Sequence, residues 1–175
     1  MKSFSDSARQ EALAYLDHYP SKEAALLPVL WIARREFGCI DEEAELAVAE
    51  LMDLSPVTVR ETSTFYFMLH RHPVGQYHLQ VCHNISCTLM GAETILDHIK
   101  KRLGIGDGQR TEDGRFSLER VECIACCDGA PALLVNDQLH TQLTPEKIDD
   151  LIRELDPGRT FPDEASSGEA PAKND

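Results

Sequence analysis

The sequence predicts an α/β protein in which a bundle of small helices precedes a domain with a mixed β-sheet. Apolar residues recur at helical spacing through roughly the first 70 residues. After Pro73 the pattern changes to short alternating segments separated by helices, which is typical of strands and their connections. We therefore expect a helical bundle over residues 1–75, an α/β domain over 76–155 and a disordered acidic tail over 156–175.

Four helices are predicted in the N-terminal part from their apolar stripes and end signals. Gly38 suits the residue after a helix, and Asp41 can cap the helix that follows it. Ser55 can cap a helix whose first residue is a proline. The predicted helices are Ser7 to Tyr19, Leu26 to Phe37, Asp41 through Leu51, and Ser55 toward Met68.

The second part alternates strands with helices. Its β-α-β-β-β-α order favours a sheet of mixed direction covered by helices. Asn136 and Asp137 form a plausible turn between the last two strands. The predicted elements are a strand Gln76 to Cys82, a helix Cys87 to Leu103, a polar loop Gly104 to Gly114, a strand Arg115 to Glu122, a hairpin Ala132 to Gln142, and a helix from Thr144 to Leu155.

The composition excludes several classes of function. Of 175 residues, 17 are lysine or arginine and 30 are aspartate or glutamate, so the net charge is −13. This charge argues against binding to nucleic acid, which needs basic residues on phosphates. The N-terminus has no apolar signal region, and the longest apolar run, Ala24 to Ala33, contains Pro28, so we expect no direct membrane insertion. In a reducing compartment, six cysteines point to metal or redox chemistry.

Two pairs of cysteines follow predicted strands. Cys82 and Cys87 form a C-x4-C motif that runs from the end of one strand to the start of the next helix. Cys123 follows another strand and is paired with Cys126 or Cys127, at C-x2-C or C-x3-C spacing. Because loops at neighbouring strand ends can converge, we expect four thiolates to meet in one small volume and bind metal.

Four thiolates suit either an iron–sulfur cluster or zinc. Structural zinc usually uses a short C-x2-C knuckle, whereas the longer loops here favour a two-iron cluster. A thioredoxin-type dithiol at Cys123 and Cys126 is an alternative, although it leaves the first pair without a role. A disulfide framework is disfavoured in a reducing compartment. Gly91 and Gly129 could let the backbone pass close to the sulfurs, but for each glycine taken singly an ordinary turn or packing position is the favoured interpretation.

The glycine-rich stretch Gly104 to Gly108 follows a helix and lacks the full dinucleotide fingerprint, so we interpret it as a flexible turn. The sequence also has no P-loop. We therefore expect no substrate, NAD or flavin site on this chain. A cluster protein without such a site moves electrons for a partner.

Four segments carry a family signature: YPSKEAALLPVLWIARREFG, SPVTVRETSTFYFMLHRHPVGQYHLQVC, CHNISC and ECIACCDGAP. With the order and spacing of the cysteine pairs, they resemble the E-type subunit family of NADH-quinone oxidoreductases, the enzymes of respiratory complex I. The resemblance covers about residues 10–155. Cys126 departs from it, because relatives usually carry a small residue such as alanine at this place.

The resemblance implies a helical bundle followed by a thioredoxin-like domain that holds one [2Fe-2S] cluster on Cys82, Cys87, Cys123 and Cys127. It implies a partner flavoprotein subunit that binds FMN and NADH, and the rest of the peripheral arm. It also implies that this cluster exchanges single electrons with that flavin. The chain would be cytoplasmic and peripheral on the inner face of an energy-converting membrane. Equivalent subunits of NAD-dependent hydrogenases or formate dehydrogenases are the alternative, and a zinc-stabilised interaction module is a distant one.

Overall fold

A computed structural model describes residues 2–66 and 68–161 of the chain. Its contacts divide the chain into two compact units, Met1–Val74 and Gly75–Asp175. In these described ranges, no helix is both long enough and apolar enough to cross a membrane.

The first unit consists of helices whose ends follow the predicted signals. Asp41 accepts a hydrogen bond from the backbone N–H of Ala44 at 3.0 Å and so caps its helix. Ser55 caps the next helix, and Gly38 ends the preceding one with a left-handed φ of 80°. The last helix stops before the predicted Met68, because the backbone is already extended at Tyr66. The helices are α1 (Asp6–Leu16), α2 (Leu26–Phe37), α3 (Glu42–Met52) and α4 (Pro56–Phe65).

One buried charge lies among the apolar side chains of this unit. Glu45 of α3 is only 3% exposed. Its Oε1 accepts a hydrogen bond from the Ser63 hydroxyl at 2.6 Å and also pairs with the guanidinium of Arg71. Arg60 lies 3.4 Å from its other oxygen. A buried carboxylate needs such partners, because leaving its charge unpaired away from water is costly.

The second unit contains a five-stranded mixed sheet in the order β2-β3-β1-β4-β5. The two central strands, β1 and β3, are parallel, and every other neighbouring pair is antiparallel. The α/β class with a mixed sheet is therefore confirmed. The strands are β1 (Tyr77–Cys82), β2 (Gln109–Arg110), β3 (Phe116–Val121), β4 (Leu133–Val135) and β5 (Gln138–His140).

The helix predicted from Cys87 to Leu103 is two helices, α5 (Ile85–Leu89) and α6 (Ala92–Leu103). The break is at Gly91, whose φ of 96° lies in the left-handed region that glycine adopts most readily. Apolar periodicity continued across the break and concealed it. Strand β2 was predicted as part of a polar loop, because two exposed residues at a sheet edge carry no alternating pattern.

Helices α6 and α7 (Pro145–Leu155) pack on the sheet through one apolar cluster. Phe161 belongs to this cluster and is 1% exposed, with the guanidinium groups of Arg102 and Arg153 over its ring. The chain therefore packs on the sheet for some residues beyond α7, within the segment predicted to be a tail. The rest of that predicted tail, residues 162–175, lies outside the described residues.

Candidate metal centre

The two cysteine loops leave the sheet side by side. Strands β1 and β3 are parallel neighbours, and Cys82 at the end of β1 is in register with Val121 at the end of β3. The backbone N–H of His83 donates to the carbonyl of Val121 at 3.1 Å. Cys123 follows two residues later. Parallel pairing therefore brings both loops to the same end of the sheet, beyond the last residues of β1 and β3. The sequence predicted this convergence.

The first loop buries its two sulfurs. Asn84 caps the short helix α5 by accepting from the backbone N–H of Ile85 at 2.8 Å. The cap turns the chain sharply after β1, so that Cys87 on the inner side of α5 comes back toward Cys82. Both cysteines are 3% exposed.

The second loop leaves its sulfurs near solvent. Cys123 and Cys127 are both exposed. Between them, Ala125 adopts a left-handed φ of 57°, and its backbone N–H donates to the sulfur of Cys123 at 3.3 Å. Cys127 begins a one-turn 3-10 helix that ends at Gly129. The site thus has one buried pair of thiols and one exposed pair.

The thiols of the two loops interact. Burial opposes ionisation of Cys82, but two backbone N–H groups and the thiols of Cys87 and Cys123 hold the pKa of Cys82 below its ordinary value. Burial and the neighbouring Cys82 raise the pKa of the Cys87 thiol to about 11, and the charge of Cys127 acts in the same direction. Because metals bind thiolates, a metal at this site must displace the proton of Cys87.

Backbone N–H groups interact with three of the four sulfurs. Such donors stabilise thiolate charge and raise the reduction potential of an iron–sulfur cluster. The sequence could not show which N–H groups donate, because main-chain donors have no characteristic residue type. The small residues of both loops were the only feature of the sequence that indicated such contacts. The donor residues and their sulfurs are Asn84 and Ile124 with Cys82, Ala132 with Cys87, and Ala125 with Cys123.

Cys126 packs against the cluster of buried residues that includes Cys82 and Cys87, and its sulfur contacts further groups. Its half-buried sulfur lies 3.8 Å from Oδ1 of Asp128. It also fills space beside Gly129, where an added Cβ would lie 3.1 Å from this sulfur. The second-loop side chains that shift the pKa of Cys82 or Cys87 are those of Cys123 and Cys127. The sulfur of Cys126 thus lies beside the buried thiols, near Asp128 and Gly129.

The two glycines behave differently from each other. A Cβ on Gly129 would lie 2.8 Å from the Cβ and Cγ2 of Thr141, so the backbone does pass closely there, against Thr141 and Cys126. Gly91 has nothing within 4 Å of the position of a Cβ. A close approach of the backbone at Gly91 is therefore wrong, and the favoured interpretation as a turn is right, since Gly91 makes the left-handed turn between α5 and α6.

The donor chemistry of the site suits an iron–sulfur cluster. Thiols from two loops meet at neighbouring strand ends, and backbone N–H groups donate to several of the sulfurs. Thiolates are the ligands of such clusters, and hydrogen bonds to the sulfurs stabilise their negative charge. The thiol set and its N–H donors therefore fit a [2Fe-2S] cluster.

Comparisons with known proteins agree with this chemistry. The family model of the thioredoxin-like [2Fe-2S] ferredoxins matches residues 12–156. The E 2 subunit of the NADH-quinone oxidoreductase of Rhizobium meliloti (strain 1021) is 39% identical over 144 residues, which are 82% of this chain and 86% of that protein. The NADH-quinone oxidoreductase subunit 2 of Thermus thermophilus is 38% identical over 144 residues, covering 81% of this chain and 80% of that protein.

A solved structure is also similar. A chain of the NAD+-reducing [NiFe]-hydrogenase in the H2-reduced state superposes with a TM-score of 0.66 at 26% identity over 77% of this chain. The match spans only 22% of the hydrogenase chain.

Proposed function

The chain belongs to the family of thioredoxin-like [2Fe-2S] ferredoxins, and on this premise we propose that it is the electron-transfer subunit of a respiratory NADH-quinone oxidoreductase. Cys82, Cys87, Cys123 and Cys127 hold its cluster. The observation that carries this proposal is the meeting of two thiol pairs at the ends of parallel strands, in a chain related to the E-type subunits of these enzymes. A [2Fe-2S] cluster supplies a site that takes up and releases single electrons.

The two thiol pairs have different roles in this centre. The buried Cys82 and Cys87 anchor the centre away from water, and their N–H donors favour the more negative, reduced state. The exposed Cys123 and Cys127 lie at the surface, where an electron has the shortest path to a partner. The pairing of one buried and one exposed thiol set makes a centre that is both stably held and accessible.

The substrate chemistry belongs to a partner. The sequence carries no P-loop and no complete dinucleotide fingerprint. FMN and NADH are therefore assigned to a flavoprotein subunit that oxidises NADH and exchanges electrons with this chain. The chain itself is a cytoplasmic, peripheral component, held at the inner face of the membrane through the other subunits of the arm.

The nature of the bound metal is tested with the full chain purified without oxygen. The proposal expects red-brown protein with two irons and two acid-labile sulfides per chain, and an electron-paramagnetic-resonance signal after reduction with dithionite. A colourless protein that contains stoichiometric zinc would contradict it and favour an interaction module. Two equivalents of iron without sulfide would also contradict a cluster.

A second candidate is the equivalent subunit of an NAD-dependent hydrogenase or formate dehydrogenase. The similarity to the NAD+-reducing hydrogenase chain favours keeping it. Mass spectrometry of the complex purified through this chain separates the two. Quinone-reducing and membrane subunits support the first proposal, whereas a nickel or molybdenum subunit supports the second.

A further inference from the structure

The chain turns back along α7 after that helix ends. The backbone N–H of Arg159 donates to the carbonyl of Asp156 at 3.0 Å, which closes a turn. Phe161 then lies beside α7 again: the central guanidinium carbon of Arg153 is 5.2 Å from the centre of its ring, and that of Arg102 in α6 is 4.5 Å away. Because Phe161 is only 1% exposed, it fixes the chain at the seam between the two helices.

Helices α6 and α7 run in the same direction along this seam. Pro145, at the start of α7, lies with Thr94 of α6. Further along, Asp149 of α7 lies 2.7 Å from Nε2 of His98 and accepts a hydrogen bond from Nε of Arg102 at 2.8 Å. The chain that turns back along α7 is therefore directed from the Arg102 end of the seam toward the Pro145 end.

A groove of about 740 Å³ lies at the Pro145 end of the seam. This volume falls within the range of about 300–1,000 Å³ that ligand pockets have. Two lysines contribute apolar stems to its walls and positive charges to its rim. Its one lining carboxylate, Asp97, lies 3.3 Å from the ammonium of Lys100. The groove, called the α6 groove, is lined by Thr94, Asp97, His98, Lys100, Lys101 and Pro145.

Lys101 gives the α6 groove a positive charge that needs a partner. Within residues 2–66 and 68–161, no carboxylate forms an ion pair with its ammonium. The end of the chain carries the opposite charge, since residues 162–175 contain four carboxylate side chains and one lysine. Two of these carboxylates come at once, in Asp163 and Glu164. Charge complementarity therefore favours this segment as the occupant of the groove.

The segment after Phe161 is also long enough to fill the α6 groove. From Thr94 to Arg102, α6 advances about 12 Å, at about 1.5 Å per residue. An extended chain advances about 3.3 Å per residue, so about four residues cover the same length. Pro162 favours an extended backbone at the residue before it, which lets the chain leave Phe161 in this form.

We propose that residues 162–165 dock in the α6 groove, with the carboxylates of Asp163 and Glu164 on the ammonium groups of Lys100 and Lys101. The inference goes beyond the proposed function, since it involves neither the thiol site nor another subunit. Docking prolongs the strap that Phe161 begins and closes the groove to other acidic ligands. Because the ion pairs lie at the surface, salt releases the strap.

Crosslinking with a water-soluble carbodiimide tests the contact, because this reagent joins a carboxylate to an amine that already lies beside it. The full chain with its cluster is treated at low salt and digested for mass spectrometry. We expect crosslinks that join Lys100 or Lys101 to Asp163 or Glu164. They should disappear at about 1 M salt, where the Debye length is about 3 Å. Crosslinks from this segment mainly to other lysines, or none at all, would overturn the proposal.

Two double variants that remove the same charge test which carboxylates act. Asp163→Asn with Glu164→Gln removes the proposed contacts, and Glu169→Gln with Asp175→Asn is the matched control further along the chain. The rate at which acetic anhydride acetylates Lys101 reports how accessible its amine is. Two exposed ion pairs favour docking by about fivefold, so the first variant should raise this rate by about threefold and the control should leave it nearly unchanged. Equal rates in the two variants would contradict docking through Asp163 and Glu164.

The same segment of a second copy of this chain is the competing occupant of the α6 groove. Mixing normal chains with chains labelled with a heavy nitrogen isotope before crosslinking distinguishes the two cases. The proposal expects each crosslinked pair of peptides to come from one copy. Pairs that combine a labelled with an unlabelled peptide would assign the groove to a second copy and refute the proposal.

Discussion

The adjacent cysteines 126 and 127 provide a sharp test of the ligand assignment. Cys127→Ala removes a thiolate from the proposed set of four, and we expect the cluster to be lost or converted to a species with a different spectrum. Cys126→Ala is the matched variant one residue away. The sulfur of Cys126 lies near Oδ1 of Asp128 and beside Gly129. Because we assign it this packing role, we expect the variant to keep the cluster.

The structure gives the size of the packing effect at Cys126. Its side chain is half-buried, and the substitution removes one sulfur-sized group. Full burial of a methylene is worth about 0.8 kcal/mol, so half-burial gives a loss of about 0.4 kcal/mol. For a chain of this length that corresponds to a fall in Tm of roughly 1–2 °C. Cys127 is exposed, so its replacement should change the stability of the cluster-free protein even less.

The assay follows iron, sulfide, visible absorption and the resonance of the reduced protein, purified without oxygen. Thermal unfolding of each cluster-free variant controls for general damage to the fold. Cys126→Ala should retain two irons per chain and an unchanged resonance, whereas Cys127→Ala should lose the irons or show a changed resonance. Loss of the cluster in Cys126→Ala, with its retention in Cys127→Ala, would contradict this ligand assignment, since the loop would then pair as C-x2-C.

Three further predictions concern the scaffold. Glu45→Ala should lower the free energy of unfolding, measured by urea titration, by about 2–3 kcal/mol. Removing one partner of a fully buried ion pair costs about 3–5 kcal/mol, but the cost is smaller here because Arg71 is 30% exposed and can be hydrated. Gly129→Ala should cost about 1–3 kcal/mol, because the new methyl group would lie 2.8 Å from two Thr141 carbons; unchanged melting would mean that the loop relaxes freely. Hydrogen bonds from a threonine hydroxyl and a backbone N–H lower the pKa of Asp113 to about 2 from 3.8. Its contribution to stability is therefore present above pH 3.8 and lost as the pH falls toward 2, and Asp113→Asn should flatten the stability curve in that window.

The sequence predicted those parts of the fold that local chemistry determines. Asp41, Ser55 and Gly38 mark helix ends through caps and a left-handed turn, and each acts where it was expected. The meeting of the two cysteine loops could be anticipated as well, because each pair follows a strand. Local patterns were sufficient where one residue and its immediate neighbours decide the conformation.

Other features depend on contacts that no local pattern encodes. The break at Gly91 was missed because the apolar spacing of α6 runs on into α5, and only the left-handed backbone ends the helix. The contrast between buried Cys82 and exposed Cys123 follows from the burial of the first loop, which the spacing of cysteines cannot reveal. The same holds for Leu89, whose exposure on a ligand-bearing helix is invisible in sequence.

The central claim is that this chain carries a cluster that takes electrons from NADH through a flavoprotein partner. The most direct measurement is the low-temperature resonance spectrum of the full chain with its flavoprotein subunit, frozen after NADH is added without oxygen. The account predicts the signal of the reduced cluster at close to one spin per chain, and no such signal when either the partner or NADH is left out. The potential of the cluster is measured separately by titration with dithionite. If this potential lies above that of NADH and the cluster nevertheless stays oxidised with NADH and the partner, electron transfer from NADH to this chain is contradicted.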